Sequence, residues 1–300
     1  MCTSIFYQTK DKTHFLARTL DFAQELNLKP TVVKKGYHFK SQANQDGFDT
    51  KFSFIGAGAN DNFADGVNEN GLAIASLYFN ENAAYNDEKI AGQVNLASPE
   101  VVPWVLGNIK SVADFKSKVY QINICNIKNK FVNSIMPLHW IIYDRSNEAI
   151  VFEMTKTGKH IYENPVGVMT NSPTFDWQLT NLSHYSHLKP TEAKAGKFGD
   201  FQIVSDGPGT GAVGLPGDYT STSRFVRTAF LREYTDQAQN TEEGVNTLIH
   251  ILNNVDIPKG VKIGENGLAD YTQYKGIMDL DHLTYYYLPY KKLEIEKATL

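Results

Sequence analysis

The sequence is poor in cysteine, in long apolar runs and in net charge. Its 300 residues contain two cysteines, Cys2 and Cys125, too few for the disulfide framework of a small secreted protein. The apolar runs are far shorter than the roughly 20 residues that a membrane-spanning helix needs. Met1 is not followed by a basic region and an apolar core, so no secretory signal is expected. We therefore expect a cytoplasmic protein.

The charge balance and the missing motifs exclude several functions. The chain has 29 basic and 33 acidic residues and no basic stripe, so neither nucleic acid nor an anionic membrane surface is an expected partner. The glycine-rich run 207–217 lacks the Gly-Lys-Ser/Thr ending of a phosphate-binding loop. The eight histidines show no zinc-binding spacing, and no Gly-x-Ser-x-Gly elbow is present. We expect no metal and no cofactor, and among hydrolytic nucleophiles the terminal cysteine is left.

The chain does contain enough apolar residues for a large core, and its patterns predict both strands and helices. Hydrophobic residues make up 42% of the sequence, with 17 Phe and 16 Tyr. Short runs rich in β-branched and aromatic residues alternate with turn residues, which favours antiparallel sheets, while helical spacing appears in the middle and near the end. Strands are predicted at 4–7, 14–20, 31–33, 52–56, 72–79, 138–143, 149–154, 160–163, 166–169, 271–280, 282–288 and 292–295. Helices are predicted at 99–109, from Ser111 onward, and at 173–182, 221–237 and 242–253. Residues 183–220 are predicted to be a long loop, which in a compact domain is typically functional or involved in assembly. The pattern indicates an α+β layered fold with one domain over residues 2–300.

Cys2 is the first candidate for chemistry. It follows Met1 directly and is small enough for that methionine to be removed, so the mature chain would start with a thiol and a free α-amine on one residue. The reference pKa of an α-amine is about 7.7–8.0 and that of a thiol about 8.5, which makes proton exchange between them feasible near neutral pH. A buried, inert cysteine is the alternative, because free cysteine is among the most buried residue types.

Arg18 and Asp21 are candidate partners for this cysteine. A nearby arginine favours the thiolate, and a carboxylate can orient the amine. A surface ion pair is the alternative interpretation of the two charges.

Asn171 is a candidate oxyanion donor. It stands at a predicted change from strand to helix, and a side-chain amide there can stabilise a developing oxyanion. It could equally be the N-cap of the helix that begins at Pro173.

Taken together, these segments resemble the choloylglycine hydrolase family, which contains bile salt hydrolases and penicillin V acylases. The matching stretches are spread in family order over nearly the whole chain: 1–4, 17–22, 64–72, 169–173, 214–219, 223–225 and 249–253. The resemblance implies an N-terminal-nucleophile hydrolase with a four-layer αββα sandwich, commonly a homotetramer, and no cofactor.

The resemblance also implies roles for individual residues. Cys2 would be the nucleophile and its own α-amine the base, with Asp21 holding the amine and Arg18 against the sulfur. One oxyanion donor would come from Asn171 and the other from the backbone N–H of Tyr78. Arg224 would be a charged support of the active site. The loops 23–28 and 58–65 would form walls of the pocket.

Tyr78 bears on the substrate. It stands where bile salt hydrolases usually carry Asn and penicillin V acylases usually carry Tyr, and the segments 241–245 and 255–261 also look more like the acylase branch. The sequence therefore favours hydrolysis of a phenoxyacetyl penicillin by a penicillin V acylase. The alternatives are hydrolysis of a conjugated bile acid, or of an acyl-homoserine lactone. A binding protein on the same fold, with an inert cysteine, is the non-enzymatic alternative.

Overall fold

Two antiparallel β-sheets form the centre of the structure, a computed structural model that describes residues 1–129 and 134–300. In chain order the strands are β1 (Cys2–Gln8), β2 (His14–Phe22), β3 (Lys29–Val33), β4 (His38–Phe39), β5 (Phe48–Asp49), β6 (Phe54–Ala59), β7 (Asn62–Phe63), β8 (Asp65–Asn68), β9 (Leu72–Tyr78), β10 (Val94–Ala97), β11 (Ile122–Cys125), β12 (Leu138–Asp144), β13 (Ala149–Thr155), β14 (Gly158–Glu163), β15 (Val168–Met169), β16 (Gly196–Phe198), β17 (Phe201–Ile203), β18 (Tyr271–Asp279), β19 (Thr284–Pro289) and β20 (Glu296–Thr299). The first sheet has the strand order β15-β1-β2-β18-β19-β20. The second has the order β14-β13-β12-β9-β8-β6-β3, with β7 beside β6. Three small two-stranded ladders, β4-β5, β10-β11 and β16-β17, lie outside these sheets.

Helices cover the outer face of each sheet. They are α1 (Val101–Asn108), α2 (Val112–Lys118), α3 (Phe175–Leu182), α4 (Ser221–Tyr234) and α5 (Thr241–Asn253), with short 3-10 turns at Ser98–Glu100, Val119–Gln121, Ser183–Tyr185 and Thr210–Ala212. Apolar side chains of α1 and α2 pack against the second sheet, and those of α5 pack against the first. Helix α4 contacts β1 and β15 of the first sheet. The predicted four-layer αββα arrangement is therefore confirmed.

The alternation of side chains explains why the central strands are apolar almost throughout. In β2, Leu16 and Leu20 face the second sheet, whereas Phe15 and Ala17 face helix α5. In β9, Ala75 and Leu77 face the first sheet. A strand covered on both faces buries every side chain, and each fully buried large apolar side chain contributes about 1.5–3 kcal/mol.

Several local predictions are confirmed. The segment at Asn70-Gly71 forms the turn between β8 and β9, where Gly71 has a φ of +76° and a Cβ would lie 2.2 Å from Arg145 Nε. The Ser111 hydroxyl accepts a hydrogen bond from Asp114 N and caps α2.

The structure differs from the predicted meander at β15. Strands β12, β13 and β14 form a meander in the second sheet, but β15 crosses to the first sheet and pairs with β1, with Met169 opposite Ser4. This crossing is a long-range arrangement, and the local pattern could not indicate it.

Several element boundaries also differ from the predicted ones. Helix α4 ends at Tyr234 because Thr235 is extended, and the last strand is β20 rather than 292–295 because a turn follows β19. The long segment 183–220 contains the exposed hairpin β16-β17.

Candidate active site

The pairing of three strands brings the chain's start beside two distant segments. In the β1-β2 hairpin Cys2 lies opposite Leu20, which puts the start of β1 next to Asp21. On its other side β1 pairs with β15, so Asn171 follows directly after the strand that flanks β1. The cysteine, the carboxylate and the amide predicted from the sequence are thus brought together.

Arg18 lies against the sulfur of Cys2. Its Nη2 donates to Cys2 Sγ at 2.7 Å, and its side chain has no exposed surface. The guanidinium also donates to the carbonyls of Ala64 and Ser76, at 3.2 and 3.1 Å. The surface ion pair considered for Arg18 and Asp21 is wrong, since both are fully buried and Arg18 pairs with Asp65 at 3.4 Å.

Asp65 orients Arg18 through a buried network to which sequence analysis assigned no role. The hydroxyls of Tyr274 and Tyr285 each donate to its carboxylate at 2.6 Å. Burial by itself would lower the pKa of Arg18, but the attraction of Cys2, Tyr274 and Asp65 outweighs it and raises that pKa. The tyrosines come from β18 and β19, more than 200 residues after Asp65, so no local spacing could have indicated them.

Asn171 contacts Cys2 and Arg224 through its oxygen. Its Oδ1 accepts from the backbone N–H of Cys2 at 2.8 Å and from Arg224 Nη2 at 2.7 Å. Its Nδ2 donates to the carbonyl of Tyr78 at 2.7 Å, which leaves one of the two amide hydrogens for another acceptor. Asn171 is not a helix N-cap, because α3 begins at Phe175 and Thr174 occupies the N-cap position.

Arg224 joins the start of β1 to helix α4. Its Nη1 donates to the carbonyl of Cys2 and to Thr3 Oγ1, both at 2.6 Å, and lies 4.0 Å from Asp21 Oδ2. Burial lowers the pKa of Arg224, while the attraction of Asp21 and Cys2 opposes that shift. The helix is capped by Thr220, whose hydroxyl accepts from Ser223 N.

Asp21 is held from β18 and contacts Met1 through the backbone. Its Oδ1 accepts from Thr272 Oγ1 at 2.7 Å and its Oδ2 from Thr19 Oγ1 at 3.2 Å. The Met1 amine donates to the Asp21 carbonyl, and Asp21 N donates to the Met1 carbonyl at 2.8 Å. With Met1 attached, the nitrogen of Cys2 is therefore bonded to Asn171 rather than to the Asp21 carboxylate.

The backbone N–H of Tyr78 points to the side of β9 on which Ala64 lies, away from β12. In β9, Ser76 N donates to Ala64 O, and the residue after the strand, Phe79, donates from its N to Pro137 O on the opposite side. Because N–H directions alternate along a strand, Tyr78 N points to the same side as Ser76 N. The side chain of Tyr78 is about half-buried, and burial raises the pKa of its hydroxyl.

A cavity of about 400 Å³ opens at Cys2. Its wall is largely apolar and includes the two predicted loops, and its lining residues are Cys2, Arg18, Leu20, Asp21, Phe22, Gln24, Glu25, Leu26, Asn27, Leu28, Ala59, Asn60, Asn62, Phe63, Ala64, Ser76, Tyr78, Pro99, Asn129, Met136 and Leu138. The predicted loops 23–28 and 58–65 are confirmed as walls. Asn171 and Arg224 contact Cys2 directly and are not among the residues that line the cavity.

Within residues 1–129 and 134–300, no helix is long and apolar enough to cross a membrane. Across the same ranges, no three His, Cys, Asp or Glu side chains are grouped so that they could hold a metal ion.

The paired antiparallel sheets, the helical outer layers and the Cys2 thiol at an apolar cavity suit a hydrolase that uses a cysteine nucleophile. A family model described as linear amide C–N hydrolases, choloylglycine hydrolase family, matches residues 2–300. The chain belongs to the choloylglycine hydrolase family and is an amidohydrolase.

Three relatives illustrate the similarity. The chain is 36% identical to a bile salt hydrolase/transferase of Clostridium perfringens over 98% of this chain and 91% of the relative. A crystal structure of a conjugated bile acid hydrolase variant from the same species has a TM-score of 0.91 and 34% identity, covering 99% of this chain and 92% of that one. A penicillin V acylase of Pectobacterium atrosepticum is 22% identical over 95% of this chain and 77% of its own length.

Proposed function

We propose that this chain hydrolyses conjugated bile salts, cutting the amide bond between the bile acid and its glycine or taurine. The observation that carries the proposal is the position of Cys2 Sγ, 2.7 Å from Arg18 Nη2 at the wall of a largely apolar cavity of about 400 Å³. A cavity of this size and polarity suits an apolar acyl group. Further support comes from relatives of 33–36% identity, whose names state bile salt or conjugated bile acid hydrolysis.

This proposal reverses the substrate preference that the sequence suggested. That preference rested chiefly on Tyr78, whose ring lies 6.1 Å from the ring of Phe22 in the cavity wall. An aromatic wall packs against the apolar face of a steroid as well as against a phenoxy ring, so Tyr78 does not distinguish the two substrates. The penicillin V acylase at 22% identity is a more distant relative than the bile salt hydrolases.

Acylation of Cys2 is the first proposed step. Once Met1 is removed, the nitrogen of Cys2 becomes an α-amine, which Asn171 and Asp21 would hold in this scheme. The amine takes the thiol proton, and the positive charge of Arg18 favours the thiolate. The sulfur then attacks the amide carbonyl carbon, forming a C–S bond while the C=O electrons move to the oxygen.

Collapse of the tetrahedral intermediate follows. The proposed oxyanion donors are Tyr78 N–H and Asn171 Nδ2, and loss of one such donor typically costs about 2.7–4 kcal/mol. As the C–N bond breaks, the ammonium of Cys2 passes its proton to the leaving nitrogen. Glycine or taurine departs and a thioester is left.

Water completes the reaction. The α-amine takes a proton from water, the hydroxide attacks the thioester carbon, and the C–S bond breaks to release the bile acid. Arg224 does not touch the substrate in this scheme, since its proposed role is to hold the Cys2 carbonyl and Asn171 in place.

Parallel turnover assays test the substrate. We expect the chain to hydrolyse glycocholate and taurocholate faster than penicillin V or a long-chain acyl-homoserine lactone. Faster turnover of penicillin V would refute the bile salt proposal while keeping the amidohydrolase.

Mutation and mass measurements test the nucleophile. Cys2→Ala should abolish turnover and retain the thermal unfolding transition, whereas Cys125→Ala, at a buried thiol away from the cavity, should retain turnover. Intact mass should show that Met1 is absent from the active protein. Full activity with Met1 attached would exclude the α-amine as the base.

We also propose that residues 2–300 form one domain, that the protein is cytoplasmic, and that it assembles as a homotetramer. The central cluster of apolar side chains shared by both sheets supports the single domain. The hairpin β16-β17 supports self-association, because Phe198 and Phe201 are 77% and 72% exposed. Light scattering should give four times the chain mass, and the double substitution Phe198→Ser with Phe201→Ser should lower it. A monomeric parent would refute the assembly.

A further inference from the structure

His139 and Glu153 form a buried pair that the proposed reaction does not use. They lie on the neighbouring strands β12 and β13, with 1% and 0% of their surface exposed. His139 Nδ1 is 3.0 Å from Glu153 Oε1. Neither residue lines the cavity. Burying two ionisable groups costs desolvation free energy, which a functional role for the pair would explain.

The imidazole contacts the sequence neighbours of both proposed oxyanion donors. Its ring stacks on Phe79, with centroids 4.2 Å apart and planes 9° apart. Its Nε2 lies 2.8 Å from the carbonyl oxygen of Thr170. Phe79 follows Tyr78 in the chain and Thr170 precedes Asn171. The side chain of His139 therefore contacts a residue adjacent in sequence to each proposed donor.

The two donor segments are also joined to each other by hydrogen bonds that do not involve the imidazole. Asn171 Nδ2 donates to the Tyr78 carbonyl at 2.7 Å, and Ser172 Oγ donates to the Asn80 carbonyl at 2.5 Å. Phe79 is already joined to β12, because its N donates to Pro137 O at 2.7 Å, and the contact of His139 with Thr170 ties the Asn171 segment to the same strand.

Hydrogen-bond partners determine where the protons of the pair lie. The Thr170 carbonyl can only accept, so Nε2 of His139 carries a proton. Glu153 Oε1 accepts from Phe175 N at 3.0 Å and faces Nδ1 of the imidazole. A second proton is therefore shared along the Nδ1–Oε1 axis, and Glu153 keeps the ring in one orientation. Through Phe175, the carboxylate also anchors the first turn of α3.

We propose that His139, held by Glu153, is a positioning residue that fixes Tyr78 N–H and Asn171 Nδ2 relative to each other. It acts through Phe79 and Thr170 and does not touch the substrate. The proposal rests on the proposed function, because it assumes that both donors act on the oxyanion. A displacement of about 1 Å at a catalytic group can cost about a hundredfold in rate, which is the scale of effect that the pair would prevent.

Glu153→Gln is the sharpest single substitution. The amide keeps the shape of the carboxyl group but cannot satisfy every neighbour. If its oxygen accepts from Phe175 N, that oxygen also faces the imidazole. A neutral imidazole has one N–H, so it can donate either to residue 153 or to the Thr170 carbonyl, but not to both. If its nitrogen faces the imidazole, Phe175 N loses its acceptor. Either way, one hydrogen bond is lost from the series that links Phe175 N, residue 153, His139 and the Thr170 carbonyl.

The measurements separate positioning from general damage. With whichever of glycocholate, taurocholate, penicillin V and the long-chain acyl-homoserine lactone the parent hydrolyses fastest, we expect Glu153→Gln to lower kcat at least about tenfold and to leave KM within about threefold. Alkylation of Cys2 by iodoacetamide needs no oxyanion donor and should stay within about twofold of the parent. In an Asn171→Asp background the same change should cost less, because a positioned donor is already lost.

Two further variants make the test decisive. Asp281→Asn is the matched control, because it removes the His14–Asp281 ion pair at the end of β2 that lies away from Cys2. This variant should leave kcat unchanged. If Glu153→Gln fails to fold, the double substitution His139→Phe with Glu153→Gln leaves no buried charge unpaired and is judged by the same criteria. A folded variant with kcat within about threefold of the parent, or one in which alkylation falls together with kcat, overturns the proposal. If neither Glu153→Gln nor the double substitution folds, the pair serves stability alone, and the proposal is also overturned.

The outcome is separate from that of the bile salt proposal. A parent that hydrolyses only penicillin V refutes the bile salt substrate. The ratio of kcat between variant and parent still decides the role of His139.

Discussion

Asn171→Asp gives a direct test of the oxyanion assignment, because the change exchanges one amide nitrogen for an oxygen of similar size. In the parent, Asn171 Oδ1 accepts from Cys2 N and Arg224 Nη2, and an aspartate oxygen can keep both bonds. The nitrogen donates one hydrogen to the Tyr78 carbonyl at 2.7 Å and keeps a second for the oxyanion. An ionised carboxylate beside Arg224 has no hydrogen to donate, and a neutral carboxylic acid has a single O–H, which restores the bond to Tyr78 and leaves nothing for the oxyanion.

The expected loss follows from that missing donor. A donor contribution of about 2.7–4 kcal/mol corresponds to a fall in kcat of about a hundredfold to a thousandfold, with KM little changed because the donor acts mainly in the transition state. Steady-state turnover of glycocholate gives both constants, and the thermal unfolding transition checks the fold.

Iodoacetamide alkylation of Cys2 provides the control for this variant. The alkylation rate should stay within about threefold of the parent, since that reaction develops no oxyanion. If kcat also stays within about threefold, Asn171 serves only to hold Cys2 and Arg224 through its oxygen, and the oxyanion assignment is refuted.

Three further predictions concern acid stability, the cavity wall and the wall loop. Hydrogen bonding, chiefly from Ser223, lowers the pKa of Asp218 to about 2, so its contribution is present above the unfolded value near 4 and is lost as the pH falls through 2. Asp218→Asn should therefore flatten the loss of stability in that window, by about 1 kcal/mol after allowance for exposure, in thermal scans against pH; an unchanged slope contradicts this. Tyr78→Asn should change KM for glycocholate with kcat within about threefold, because the side chain lines the cavity while the backbone N–H is kept; a large loss of kcat alone would contradict it. Gln273 holds the wall segment 22–26 by three hydrogen bonds, to Leu26 N and to the carbonyls of Phe22 and Gln24, so Gln273→Met should raise KM by about threefold to tenfold with kcat retained, and an unchanged KM would refute that role.

Local structure was largely predictable, because its determinants lie within a few residues of one another. The turn at Asn70-Gly71 follows from the need for a positive φ, and the start of α2 from the hydroxyl of Ser111. The end of α4 was predicted three residues too far, since the apolar spacing continues to Tyr234 but the backbone becomes extended at Thr235. The backbone conformation of a single residue sets the end of this helix, and the apolar periodicity does not predict that conformation.

The partners of the predicted site residues were less accessible to sequence analysis. Arg18 could be chosen from its spacing to Asp21, yet the two do not pair, and Arg18 is instead oriented by Asp65. Thr272 bonds the carboxylate of Asp21 from β18, 251 residues away along the chain. Such contacts depend on which strands become neighbours in the sheet, a property of the whole fold.

The sequence by itself determined the chemistry that this protein can perform. A thiol directly after Met1 and an arginine three residues before a carboxylate can be read without a structure, and with the amide of Asn171 they form the family's motifs. These are properties of side chains and of short spacings.

Only the tertiary structure decided how those groups are placed and what they face. The crossing of β15 to the first sheet sets Asn171 beside Cys2, and the packing of two sheets buries Asp65 beneath Arg18. The loops that follow β2 and β6 enclose the apolar cavity in front of the sulfur. The physical reason is that these contacts join residues separated by tens to hundreds of positions, so they form only when the apolar faces of both sheets and their helices pack together.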